Sequence, residues 1–348
     1  MLRLSLILSC LVVLLASCSN EVNINDDYQE QAVMYALLNP EDSIQTVRVQ
    51  KSFLGEGNVN DMGEVSDSIY FSDEIVVTIQ EIQNGNPVGD AMVLVAETLT
   101  KDEGDFATAN HVVYRTENQD GILDSEKQYR VKMRNTVTGY EAYGDTYLVG
   151  DYNLLAPNTP VINFNATSKM ALEWEHADHT GVYQVVLRFH YEEDGELMYL
   201  DMPFNQRDVG VDYNNPGVFE QFERGRFWTY LQNNIEPSLT KKRIAIGIEI
   251  LVYAGGTDYT LFTDLNASSG TLVEERPEFT NVVNGTGLVS SRSVTTSEVM
   301  FILNNDQDYY NLAPSSLDTL VCGYRTKDLH FGKIMIDGFG ADTVYCNN

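Results

Sequence analysis

Only two of the five histidines in this 348-residue chain stand close together. They are His176 and His179, in Glu173-Trp174-Glu175-His176-Ala177-Asp178-His179. A three-residue step on a helix would put both imidazoles on one face and supply two legs of a zinc site. This segment follows a strand-like run instead, and no third ligand can be assigned, so a polar loop accounts for it better. Asn304, Asp306 and Asp308 alternate like the opening of a calcium loop, which needs Gly at its sixth place and a bidentate Glu at its twelfth. Tyr309 and Ser315 occupy those places. Asn284-Gly285-Thr286-Gly287 is not a phosphate loop, because no Lys follows and the flanks do not read strand-to-helix. The sequence has no G-x-S-x-G elbow. Carboxylate pairs are too numerous among 51 acidic residues to single out a glycosidase couple. On this reading the chain has no catalytic residue and no metal ligand, and is not an enzyme.

Twenty tyrosines suggest a different chemistry, the stacking of exposed rings on sugars. Tyr309-Tyr310 and the cluster Phe227, Trp228 and Tyr230 are the richest spots. Trp228, Tyr230, Tyr309 and Tyr310 are therefore the candidate ligand or partner contacts. Tyrosine is also a common strand and interface residue, so core and protein-contact roles outweigh sugar binding. Cys322 and Cys346 are the cysteines left to the folded part. Export to an oxidising compartment permits a disulfide that would pin the C-terminal tail, two buried free thiols being the alternative.

The first residues decide the compartment. Met1-Leu2-Arg3 is a short basic opening, and Leu4 to Leu15 is an apolar run of about 12 residues, well short of the ~20 that a membrane-spanning helix needs. The run ends in Leu15-Ala16-Ser17-Cys18, which resembles the lipobox of bacterial lipoproteins. That resemblance implies cleavage after residue 17 and a diacylglycerol on the Cys18 thiol, with palmitate as the fatty acid and no other cofactor. Cys10 leaves with the signal. Ser19 is not the Asp that marks inner-membrane retention, so the outer membrane is expected. Residues 18–31 form a polar, acidic tether with nothing to build a core. Its Glu21, Asp26 and Asp27 loosely resemble the acidic tethers of surface-displayed Bacteroidota lipoproteins.

The chain carries 22 basic and 51 acidic residues, a net charge of −29. Loss of Arg3 with the signal takes this to −30. Such a body has no electrostatic footprint for nucleic acid and is repelled by anionic headgroups, so the lipid must hold it at the membrane.

Elements fall into two groups. Residues 32–153 alternate short strand-like runs with turn signals, the spacing of an immunoglobulin- or fibronectin-like β-sandwich. Val47 and Val49, leading on to Phe53, form one run. Ile75 to Ile79 and Met92 to Val95 are two more, with Asn84-Gly85-Asn86-Pro87 as turn chemistry between them. Tyr129 to Arg134 has apolar odd positions and basic even ones, so one face is buried and the Arg130, Lys132, Arg134 face is solvated. Leu123, six residues before Tyr129, resembles the tyrosine corner of such sandwiches. After a linker, Pro157 to Pro160, residues 158–348 read as a second β-rich domain with one or two short helices. Its strands are Met170 to Glu175, Tyr183 to Phe189, Leu197 to Phe204, Ile244 to Val252 and Val299 to Leu303. Phe219, Phe222, Phe227 and Leu231 stand at roughly helical spacing, which predicts a helix over Val218 to Asn234, weakened by Gly225.

The order of lipobox, sandwich with a closing Tyr strand, and second β-rich domain reaching an Asn284-Gly285-Thr286-Gly287-Leu288 segment resembles a Bacteroidota lipoprotein family of unknown function. Members are often encoded beside outer-membrane transporters. The resemblance implies a mainly β fold and a non-catalytic accessory or scaffold role. The implied partners are an outer-membrane β-barrel protein or other surface lipoproteins. A glycan- or nutrient-binding lipoprotein is the alternative.

Overall fold

Alternation of apolar and charged residues dictates the clearest strand, and the computed structural model of the chain places it as expected. The structure describes residues 31–52, 69–71, 74–100, 110–117, 121–209, 217–267, 279–296, 309–337 and 340–346. Residues 18–30 of the tether, Cys18 among them, Phe53, Asn304, Asp306, Asp308 and the Val299 to Leu303 run lie outside them. The first eight strands are β1 (Ala32–Leu38), β2 (Thr46–Lys51), β3 (Ile75–Gln83), β4 (Asn86–Pro87), β5 (Met92–Thr100), β6 (Asn110–Arg115), β7 (Gln128–Asn135) and β8 (Glu141–Tyr147). On β7, Tyr129, Val131 and Met133 are buried, and Arg130, Lys132 and Arg134 face out. The Tyr129 hydroxyl accepts a hydrogen bond from the Asp124 backbone N–H at 3.1 Å, the corner that the Leu123 spacing predicts. Asn84 (φ 53°) and Gly85 (φ 78°) form the two-residue β3–β4 turn, whose positive φ angles suit Asn-Gly. The basic face of β7 is partly offset by its neighbour, whose two carboxylates meet three basic side chains. Arg130 makes paired bonds to Asp145 (2.6 and 2.7 Å) and lies over the Tyr143 ring, while Lys132 and Arg134 approach Glu141.

The remaining strands are β9 (Leu154–Ala156), β10 (Val161–Ile162), β11 (Met170–Glu175), β12 (Thr180–Glu193), β13 (Glu196–Pro203), β14 (Arg207–Asp208), β15 (Gly217–Phe222), β16 (Arg243–Gly256), β17 (Val282–Val283), β18 (Gly285–Thr296), β19 (Asn311–Leu312), β20 (Phe331–Asp337) and β21 (Gly340–Tyr345). Among the described residues three α-helices join them: α1 (Arg226–Asn234), α2 (Thr257–Ala267) and α3 (Pro314–Cys322). The protein is thus mainly β. Among the described residues no helix is long and apolar enough to cross a membrane.

The expected helix over Val218 to Asn234 forms only in its second half. Gly217–Phe222 pairs antiparallel with β11, placing Phe222 opposite Met170 and Val218 opposite Trp174. Phe222 packs on Phe204 in the core, a burial that strand alternation supplies as well as helical spacing does. The helix starts only past Gly225 and buries Phe227, Trp228 and Leu231.

The two halves do not separate at residues 153–158. One hydrogen-bonded path runs β13-β12-β16-β18-β1-β2-β6-β5-β3-β7-β8-β17. In the N-terminal sandwich, β5 changes layers, pairing β3 through Met92–Leu94 and β6 through Val95–Thr100. The opposite edge is closed from far along the chain. There β17 pairs β8, while β18 pairs parallel with all of β1, Ala32 opposite Gly285 through Leu38 opposite Ser291. Val282 and Val289 join a core with Met34, Leu38, Val77, Ile79, Val131 and Met133. The same β18 then continues from Arg292 to Thr296 alongside β16.

The Asn-Gly-Thr-Gly segment explains this docking. A Cβ at Gly285 would lie 2.7 Å from the Ala32 carbonyl oxygen, and one at Gly287 (φ +116°) would strike the Met34 carbonyl. Two glycines at strand spacing let β18 seat on the backbone of β1.

The second core lies between β12 and β16 on one side and the β15-β11-β9 sheet with α1 on the other. Trp174 is fully buried there, and Phe164 stacks on Phe227 at 4.0 Å. Tyr183 repeats the corner, its hydroxyl accepting the Ala177 N–H at 2.7 Å. Cys322 and Cys346 are disulfide-bonded, tying the end of α3 to the residue after β21.

Candidate functional site

The 14-residue β12 sends alternate side chains to opposite sides. Tyr183, Val185, Leu187, Phe189 and Tyr191 enter the core, leaving Gln184, Arg188 and His190 on the outer face. Register aligns their neighbours. Arg188 stands between Asp201 of β13 and Glu249 of β16, and His190 stands between Tyr199 and Gly247. Arg188 makes paired hydrogen bonds to Asp201 (2.6 and 2.9 Å), approaches Glu249 at 3.9 Å and lies 4.4 Å over the Tyr199 ring. The hydrogen bonds to Asp201 hold its guanidinium charged above the ordinary range. A His190 ring nitrogen lies 2.8 Å from Glu249 Oε2, and the Tyr309 ring covers His190 at 4.1 Å between centroids. The result is a row of rings and paired charges across three strands, pre-ordered for contact.

The row ends at an open edge. β12 turns into β13 through Asp194 (φ 52°) and Gly195 (φ 92°), a tight hairpin. Among the described residues nothing pairs with the far side of β13. Leu197 is 79 % exposed, Tyr199 60 % and Met198 39 %. This eight-residue edge strand carries Glu196 at its start and Pro203 at its end, yet between them it leaves Leu197, Met198 and Tyr199 open, an apolar stretch of edge that proteins usually cover with a partner.

Two recesses flank the junction. One, of about 210 Å³, lies on the outer face, between β1, β12 and the start of α2. Tyr253 and Tyr259 line it with Leu37 and Val182, and Gln184, Gln206 and Arg292 supply polar groups. A Cβ at Gly255 would come within 2.8 Å of the Tyr259 ring and 3.0 Å of Val182, so the missing side chain lets that ring lie against the strand. The second, about 380 Å³, is polar and lined by Glu41, Asp151, Asn153 and Thr295. Burial, then Asp151 and Asp42, push the Glu41 carboxyl up. Among the described residues no group of three or more His, Cys, Asp or Glu is placed to hold a metal ion. His176 and His179 diverge: the first lies 3.3 Å from the Tyr183 hydroxyl, and the second stacks on Tyr147 of β8 at 4.3 Å.

The four candidate aromatic contacts part company. Trp228 is buried and donates its indole N–H to Asn165 at 3.1 Å. Tyr310 is buried too, its hydroxyl donating to the Pro157 carbonyl at 3.0 Å. Both are core residues and offer no stacking platform, which corrects their place among the candidate contacts and leaves them the core role that the sequence reading weighed above sugar binding. Tyr230 is half-buried, with its hydroxyl on the Asp201 carbonyl at 2.6 Å. Tyr309 alone joins the outer row. Arg188, His190, Tyr199 and Glu249 were not singled out from sequence, although the alternation of polar residues along β12 carried the signal. Comparison of the sequence with known protein-family models and with curated proteins finds no match.

Proposed function

We propose that the chain is an outer-membrane lipoprotein, anchored through lipid on Cys18 and facing the cell exterior. Its role is that of a non-catalytic accessory or scaffold subunit of an outer-membrane β-barrel complex, either a TonB-dependent transporter or an assembly or secretion machine. The observation that carries this reading is the open β13 edge, with Leu197, Met198 and Tyr199 exposed beside a row of ordered side chains. Edges and apolar patches of this kind recruit a partner strand or a barrel rim. Fourteen tether residues, 18–31, reach at most about 50 Å when fully extended, which keeps the sandwiches near the bilayer. Confinement to that layer raises the effective concentration of any membrane partner, so modest contacts suffice.

Native purification in mild detergent followed by mass spectrometry tests the reading. A β-barrel protein recovered in near one-to-one ratio is the expected result, and repeated recovery of the chain alone contradicts it. Cys18→Ala is expected to move the protein from the membrane to the soluble periplasmic fraction. Retention of the variant at the membrane in cells lacking the co-purifying partner contradicts the anchor.

A further inference from the structure

We propose that the 210 Å³ recess at the junction of the two halves binds a small carboxylated sugar of one ring. This goes beyond the partner reading and does not depend on it. Size sets the first limit, since the space is below the ~300 Å³ at which pockets for drug-sized ligands begin, yet holds about seven water volumes. One substituted six-membered ring fits, and an extended chain does not.

The lining sets the chemistry. Tyr253 and Tyr259 bring aromatic rings to the lining, the surface on which the C–H face of a sugar packs, with Leu37 and Val182 as apolar support. Gln184 and Gln206 bring amides that both donate and accept, as ring hydroxyls require. Gln184 commits one N–H to the Phe204 carbonyl at 3.3 Å and keeps its other amide donor and its oxygen. Arg292 supplies the positive charge. Its ion pair with Asp42 spans 3.6 Å, outside hydrogen-bond range, and its side chain is 60 % exposed, so the guanidinium can take a carboxylate bidentately. In a chain with more than twice as many acids as bases, a cation at this mouth selects an anionic ligand that the rest of the surface repels. The recess is also a fixed part of the fold: Gly255 seats Tyr259, and the Tyr259 N–H donates to the buried Ser290 hydroxyl at 3.1 Å.

Titration of the purified full chain in mild detergent with glucuronate, glucose and benzoate, followed by ligand-observed NMR and calorimetry, tests the proposal. Glucuronate is expected to bind saturably at one site, at least tenfold more tightly than glucose, and more weakly as salt is raised. Arg292→Gln, at an exposed side chain, is expected to leave the melting temperature unchanged and to bring glucuronate down to the level of glucose. Tyr259→Ala is expected to weaken both sugars. Equal binding of the two sugars, no saturable binding, or unchanged glucuronate affinity in Arg292→Gln overturns the proposal. Tighter binding of benzoate than of glucuronate overturns it too, because the recess would then select flat aromatic acids.

Discussion

Replacing Gly287 by Ala tests whether the N-terminal sandwich is closed by a strand from the C-terminal half. The added Cβ would strike the Met34 carbonyl oxygen and lie 2.9 Å from Met34 C and 3.0 Å from Met34 N, all backbone atoms that cannot rotate away. The native φ of +116° adds about 1–3 kcal/mol of strain for any L side chain. To relieve the overlap β1 must part from β18, and each ladder hydrogen bond lost there costs about 1 kcal/mol. Ala32, Met34, Ala36 and Leu38 would also be loosened in the core. Together these come to on the order of 4 kcal/mol, which an m-value of 2–3 kcal/mol/M turns into a fall of roughly 1–2 M in the urea midpoint. Gly89→Ala is the control: its φ is +66° but the space around it is open, so it carries strain without collision. Midpoints measured by tryptophan fluorescence and by far-UV circular dichroism should both fall for Gly287→Ala, at least twice as far as for Gly89→Ala. Equal shifts in the two variants would refute the close approach of β18 to β1.

The disulfide closes a 24-residue separation, so Cys322→Ser is expected to cost about 3 kcal/mol, read as a lower thermal midpoint that reductant reproduces in the wild type. Arg243, 1 % exposed, donates to Glu193 (2.7 Å) and to the carbonyls of Glu236 (3.0 Å) and Leu329 (2.7 Å). Arg243→Met leaves those acceptors unsatisfied and is expected to destabilise by about 3–5 kcal/mol in chemical denaturation. Hydrogen bonding to Lys241, then to Arg243, holds the Glu193 carboxyl below its ordinary range. Its contribution is therefore complete above the unfolded value near 4.5 and lost as pH falls through the lower folded value. Wild type should accordingly lose stability more steeply below pH 4.5 than Glu193→Gln does.

Local patterns were legible wherever one residue pair or one alternation decided the outcome. The β7 pattern, the Tyr129 corner and the Asn84-Gly85 turn need only neighbours in sequence. The strand Gly217–Phe222 was harder, because Phe222 fits both a helical stripe and a strand face until β11 supplies a ladder. Closure of the first sandwich by β17 and β18 rests on pairing across some 250 residues, such as Ala32 with Gly285, and no local period reports that. The aromatic candidates divide for a related reason. Tyr309 and Tyr310 are adjacent on an extended stretch, so one faces out and the other enters the core. The outer row depends on three strands in register, which alternation within β12 suggests but cannot complete.

The central claim is that the open β13 edge holds a membrane partner. Leu197→Glu with Tyr199→Glu places two charges on that edge, where both side chains are exposed, so the melting temperature should stay within a few degrees of wild type. If the edge is the contact, the β-barrel protein recovered with the wild-type chain should fall about 30-fold or more in the double variant, matching the loss of one or two dominant interface residues. The variant itself should stay in the membrane fraction. Undiminished recovery of that protein with a folded, membrane-bound double variant would contradict the account.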